Sequence, residues 1–220
     1  MRIYKLVLGL SSLIAFLGFS GCGDSASTTS TPATGSVSVE LTDAPGDYSA
    51  VYVTIDEIRV HRAGDDTLFE DNNGTNSGWM VVASPHKTYD LLALQNGITA
   101  ELGEANISTG KYTQMRLVLG NIEDNGTNIL GNPHPYSQYV VFNDGSDIAP
   151  LDTPSNVIKQ NHNFDVLADS KLVLTIDFDA NKSITDTGSG KYILKPVLGL
   201  VSVKDTNGSD IPADDVNITI

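Results

Sequence analysis

From residue 36 onward, apolar and polar residues alternate in short runs broken by Gly, Asn, Asp and Pro. In SVSVELT, residues 36–42, Val37, Val39 and Leu41 share one face, and the turn DAPGD follows. In VYVTIDEIRVH, residues 51–61, Val51, Val53 and Ile55 share a face before the phase moves to Ile58 and Val60. Side chains repeat every second residue along a strand, so the phase cannot change without an extra residue. The pattern therefore predicts a β-bulge near Asp56–Glu57. WMVV, residues 79–82, reads as another strand after the Gly/Asn-rich EDNNGTNSG. YDLLALQNG, residues 89–97, reads as a short helical turn ended by Gly97. ITAEL, KYTQMRLVL, SQYVVFND, NVIKQNHNF, KLVLTIDF and KYILKPVLGLVSV continue the strand series, and no window sustains a helical period. Roughly nine strands with turns every eight to twelve residues are the spacing of an all-β, antiparallel β-sandwich. Residues 204–220 read as a C-terminal turn and one last edge strand.

The front of the chain follows another pattern. MRIYK carries Arg2 and Lys5, the next fourteen residues (LVLGLSSLIAFLGF, 6–19) carry no charge, and Ser20, Gly21 and Cys22 follow. A basic start, a short apolar run and a small-residue cleavage site make an export signal. A membrane-spanning helix needs about 20 apolar residues, so this run is too short to be one. Phe19-Ser20-Gly21-Cys22 resembles the bacterial lipoprotein signal, with Phe19 where that motif usually has leucine. The resemblance implies cleavage before Cys22, the only cysteine of the chain, and a diacylglyceryl group on its sulfur. One acyl chain anchors a protein marginally, and two or more anchor it stably. The expectation is a signal peptide over 1–21, then the lipidated cysteine and a disordered tether over 22–35. The tether, GDSASTTSTPATG, buries too little apolar surface to offset chain entropy. Gly23 follows the cysteine, with Asp24 one further on, which by resemblance to known sorting implies a lipid anchor in the outer membrane of a bacterial cell envelope.

Charge narrows the partners. Loss of Arg2 and Lys5 on cleavage takes the formal charge from −14 to −16. Such a chain repels phosphate backbones and anionic headgroups, so no nucleic acid partner is expected, and membrane attachment falls to the lipid. Residues 36–203 suit one domain with a sizeable core. An exported domain with no cysteine pair folds without a disulfide.

No motif for catalysis stands out. There is no G-x-S-x-G elbow, and the four histidines (61, 86, 134 and 162) lack the one-turn spacing of a metalloprotease. GSGK, residues 188–191, resembles a phosphate loop, but Thr185 and Tyr192 stand where that loop needs Gly and Ser or Thr, so a hairpin turn is expected. Asp43 and Asp47 flank a Pro-Gly turn, where Asp commonly caps backbone amides. The best-patterned acidic stretch is Asp177-Phe178-Asp179-Ala180-Asn181. Leu172, Leu174, Ile176 and Phe178 occupy one face of the preceding strand, and Asp177 and Asp179 share the other. The spacing is that of the first half of an EF-hand loop, but Lys182 and Gly188 replace the required Gly and Glu. Two readings stay open. One is a looser Ca2+ site built from Asp177, Asp179 and Asn181, joined by Asp43 if the strands are neighbours. The other is a solvated strand end at which Asp179 or Asn181 caps a turn. No other cofactor is expected.

Six separated phrases agree in order with one family: LTDAPGDYSAVYVTIDEIRVH (41–61), Trp79 with Met80-Val81-Val82, YDLLALQNG (89–97), ISTGKYTQMRLVL (107–119), LVLTIDFDANKSI (172–184) and KYILKPVL (191–198). Over residues 36–203 the chain resembles a bacterial domain of unknown function, family 4382. That family looks related to prealbumin-like Greek-key sandwiches, and Ser108-Thr109-Gly110-Lys111-Tyr112 is similar to their G-x-Y turn. The resemblance implies an all-β Greek-key β-sandwich, and a module that binds or supports rather than catalyses. The function expected is thus a non-enzymatic, lipid-anchored envelope lipoprotein with an envelope or extracellular partner. The alternative is a carbohydrate- or calcium-binding module, with Tyr48, Trp79, Tyr136 and Tyr139 in or beside loops where they would stack on sugars.

Overall fold

A computed structural model describes residues 32–64, 78–120, 136–142 and 147–205. The expected signal peptide, Cys22, most of the tether and the last edge strand lie outside these residues.

Thirteen strands run through the described residues: β1 (Thr34–Thr42), β2 (Ala50–Arg62), β3 (Trp79–Ala83), β4 (Lys87–Asp90), β5 (Ala100–Ser108), β6 (Gly110–Leu119), β7 (Gln138–Phe142), β8 (Asp147–Asp152), β9 (Val157–Val166), β10 (Lys171–Phe178), β11 (Ile184–Asp186), β12 (Tyr192–Leu194) and β13 (Leu198–Lys204). They form two sheets. The smaller has the order β13-β10-β1-β5. The larger has the order β11-β12-β8-β7-β2-β6-β9, with β3 and β4 also paired to β2. Apolar residues from both sheets meet in one continuous core that includes Val37, Val39, Leu41, Ile58, Val60, Leu117, Leu174 and Ile176. The chain is therefore all-β and sandwich-like, as the alternation predicts.

The sheets are mixed rather than uniformly antiparallel. β1 pairs with β10 in parallel, placing Thr42 beside Asp177, and β12 pairs with β8 in parallel. A parallel neighbour needs a long crossover. For β1 and β10 the crossover comprises all the strands between them, and no local pattern announces it.

The predicted bulge is present. β2 shifts register against β6 between Ile55 and Glu57, so Val51, Val53 and Ile55 before it and Ile58 and Val60 after it are all buried. This single long strand carries β4 and β7 along its first half and β3 and β6 along its second. The turn expected at 89–97 is a 3-10 turn over Leu91–Leu94, entered through β4. Asp90 caps it by accepting the Leu92 N–H at 3.1 Å. Asn96 and Gly97 leave it with φ of 59° and 83°. GSGK is the tip of the β11–β12 hairpin, with Gly188 and Gly190 at positive φ.

Other boundaries move. β1 starts at Thr34, two residues inside the expected tether. KYILKPVLGLVSV splits into β12 and β13, because Pro196 has no N–H to give a ladder. β4, β8 and β11 are short, and β8 contains Pro150, so their alternation is too brief to read from sequence.

Candidate functional site

The parallel pairing of β1 and β10 brings together the two acidic stretches that the sequence keeps far apart. Asp43 follows β1 directly, Asp177 lies near the end of β10, and Asp179 follows β10. The 3-10 turn closes this end of the sheet: Asp43 N–H donates to Leu94 O at 3.2 Å, and Thr42 Oγ1 donates to Leu94 O at 2.9 Å.

Asp43 is only 4% exposed. Its Oδ1 accepts the Ala180 N–H at 2.9 Å, while Oδ2 is buried without a hydrogen-bond partner. Burial raises its pKa to about 6; the Ala180 amide and Gln95 oppose the rise, and the charges of Asp177 and Asp179 add to it. Asp177 is in a similar state. Burial and then the charge of Asp179 push its pKa up, Lys182 and the Ala44 amide oppose this, and its Oδ1 is buried without a partner. A buried carboxylate oxygen without a donor is costly. This end of the sheet therefore attracts positive charge, whether a proton or a cation.

Asp179 is spoken for. Its Oδ1 accepts the Lys182 N–H at 2.9 Å, capping the single helical turn Ala180–Ser183, and its Oδ2 pairs with Lys182 Nζ at 2.7 Å. Burial would raise its pKa, but the Lys182 contacts outweigh it and hold the carboxyl below its usual range. Asn181 is exposed on that turn. The D-x-D-x-N spacing thus serves a helix cap, and Asp43 takes the place beside Asp177 that the spacing suggests for Asp179. Among the described residues, no three His, Cys, Asp or Glu side chains are grouped to hold a metal ion. Gln95 carries no sequence signal for a place here; only the fold of the 3-10 turn brings it near.

Of the four aromatic residues, Tyr136 and Tyr139 meet each other, while Tyr48 and Trp79 pack elsewhere. Tyr139 is buried and stacks on Tyr52 at 4.5 Å between ring centroids, and Tyr136 meets it edge-on at 6.3 Å. Tyr48 packs edge-on against Phe142. Trp79 is 7% exposed, and its ring is covered by the guanidinium of Arg116 at 3.5 Å. Of the four, Tyr136 alone is exposed.

No curated protein and no solved structure matches this chain. One family model does, over residues 34–196, running from the first residue of β1 to just past β12 and spanning both sheets. The chain belongs to the family described as Domain of unknown function (DUF4382).

Proposed function

We propose that this chain is a lipid-anchored lipoprotein of the bacterial cell envelope, whose non-catalytic, prealbumin-like sandwich binds or supports an envelope or extracellular partner. The observation that carries the reading is Phe19-Ser20-Gly21-Cys22, directly after an uncharged run of fourteen residues. The tether between Cys22 and β1 suits a module held away from a membrane. Intact-mass measurement of the mature protein, taken from its own envelope, is expected to show an N-terminal Cys22 carrying acyl chains. Cys22→Ala is expected to escape processing and anchoring. An unmodified mature N-terminus at another residue overturns the reading.

One observation favours a second reading, a calcium ion at the acidic sheet end. Two buried carboxylate oxygens there, Asp43 Oδ2 and Asp177 Oδ1, have no donor. A hard dication takes oxygen ligands, and carbonyls and waters complete such sites. A ligand bound only by the folded state raises stability by mass action, by about 2.7 kcal/mol at a hundredfold excess over Kd. Calcium is therefore expected to raise the melting temperature of the wild type relative to chelator, and to do so less in Asp177→Asn. The same melting temperature in calcium and chelator rejects it.

A further inference from the structure

We propose that the outward face of the large sheet binds a carboxylated polysaccharide through Arg59, Arg116 and Lys159. This names the partner class that the binding-module reading leaves open, and so rests on that reading.

The three cations form one row across three strands. Arg59 of β2 lies opposite Arg116 of β6, and Arg116 lies opposite Lys159 of β9. Their neighbours along the strands, Ile58 and Val60 on β2 and Met115 and Leu117 on β6, are buried. Side chains alternate between faces, so the row points away from the core. Adjacent strands are about 4.8 Å apart, so the backbone positions of the row span ~10 Å, while the Arg116 guanidinium leans across β2 to the Trp79 ring of β3 at 3.5 Å.

Like charges directly opposite each other destabilise a sheet. A lysine on the edge strand β9 is explained by itself, since edge charges discourage strand pairing. Two arginines side by side on interior strands are not. Among the described residues, Glu57 is the acid that answers this row, and it is taken by Arg59 at 2.6 Å. Arg116 is held flat on Trp79, its Nε buried without a partner, and burial together with Arg59 lowers its pKa. The row is a cationic strip on a chain of formal charge −14, with Arg59 paired to Glu57, Arg116 held on Trp79 and Lys159 exposed.

The adjoining row identifies the class of anion. His61, Gln114 and Asn161 lie opposite one another on β2, β6 and β9, one alternation away from the cations. Side-chain amides both donate and accept, which suits sugar hydroxyls. Guanidinium groups suit planar carboxylates. A cation row beside a row that carries two amides and an imidazole on a sheet face matches a linear polymer that offers both carboxylates and hydroxyls. The remaining acidic surface repels any polyanion at a distance, the proposed one included. At about 0.1 M salt the Debye length is ~10 Å, so contact with the strip survives while distant repulsion is screened.

The test is calorimetric titration of the full chain in detergent, at ~0.1 M salt, with alginate fragments as the acidic probe and dextran as the neutral one. Wild type is expected to bind alginate and not dextran. Lys159→Glu is expected to weaken alginate binding about tenfold with little change in melting temperature, and Lys159→Arg to retain it. Arg116→Gln is expected to weaken it similarly; should loss of the Trp79 contact unfold that variant, exposed Lys159 still decides. The proposal is overturned if alginate does not bind, if Lys159→Glu binds it as wild type does, or if vesicles of anionic phospholipid bind where alginate does not. Lipid attachment is read separately from the mass of the N-terminus, so a negative titration overturns this proposal without touching that one.

Discussion

His162 sits in β9 with 6% of its surface exposed, and neither ring nitrogen has a hydrogen-bond partner. Burial lowers its pKa from 6.5, because the core cannot solvate an imidazolium. As pH falls, the unfolded chain takes this proton first. The stability is full above about pH 6.5 and is lost as pH falls towards the folded pKa, by at most ~1.4 kcal/mol per pH unit. Asp43 works in the opposite sense. Its pKa rises from 3.8 to about 6 on folding, so the penalty for its buried charge is complete above pH 6 and relieved on the way down to 3.8. The two groups oppose each other in mild acid, and wild type alone conceals both. In His162→Leu one of them is gone. Its stability relative to wild type is expected to rise between pH 7.5 and pH 5, measured by urea unfolding at each. An identical difference at both values would show that His162 does not titrate in this window.

Elements depend on a few backbone positions as much as on their apolar faces. β5 shifts register against β1 so that Val39 faces Gly103 and Glu40 faces Glu101, and Gly103 adopts φ 152°. A Cβ at Gly103 would stand 2.8 Å from the Cβ of Ala83 in β3, where the two sheets approach each other. Gly103→Ala combines backbone strain with overpacking and is expected to cost ~1–3 kcal/mol in chemical denaturation. A loss below ~0.5 kcal/mol, the level of an ordinary surface substitution, would show that β3 and β5 do not pack this closely. This constraint was not legible in the sequence, because it depends on a residue in another strand. The bulge in β2 was legible, because Ile55, Ile58 and Val60 record the phase change within one segment. The end of the 3-10 turn was legible too, since Gly97 tolerates the positive φ it needs.

At the scale of the molecule, two kinds of information separate. The chain by itself determined what is local: strand faces, the bulge, the turns at Gly97 and Gly188, and the acidic charge. Each is written in neighbouring residues, because side-chain period and φ preference act over a few positions. The tertiary structure alone decided which strands are neighbours. It ran β1 parallel to β10, and so set Asp43 beside Asp177 while Asp179 turned to Lys182. It also drew Arg59, Arg116 and Lys159 into one row and laid Arg116 on Trp79. Strand pairing is selected by burial of the whole core, to which distant segments contribute on equal terms. Alternation says which face of a strand is buried, and many partners satisfy the same alternation.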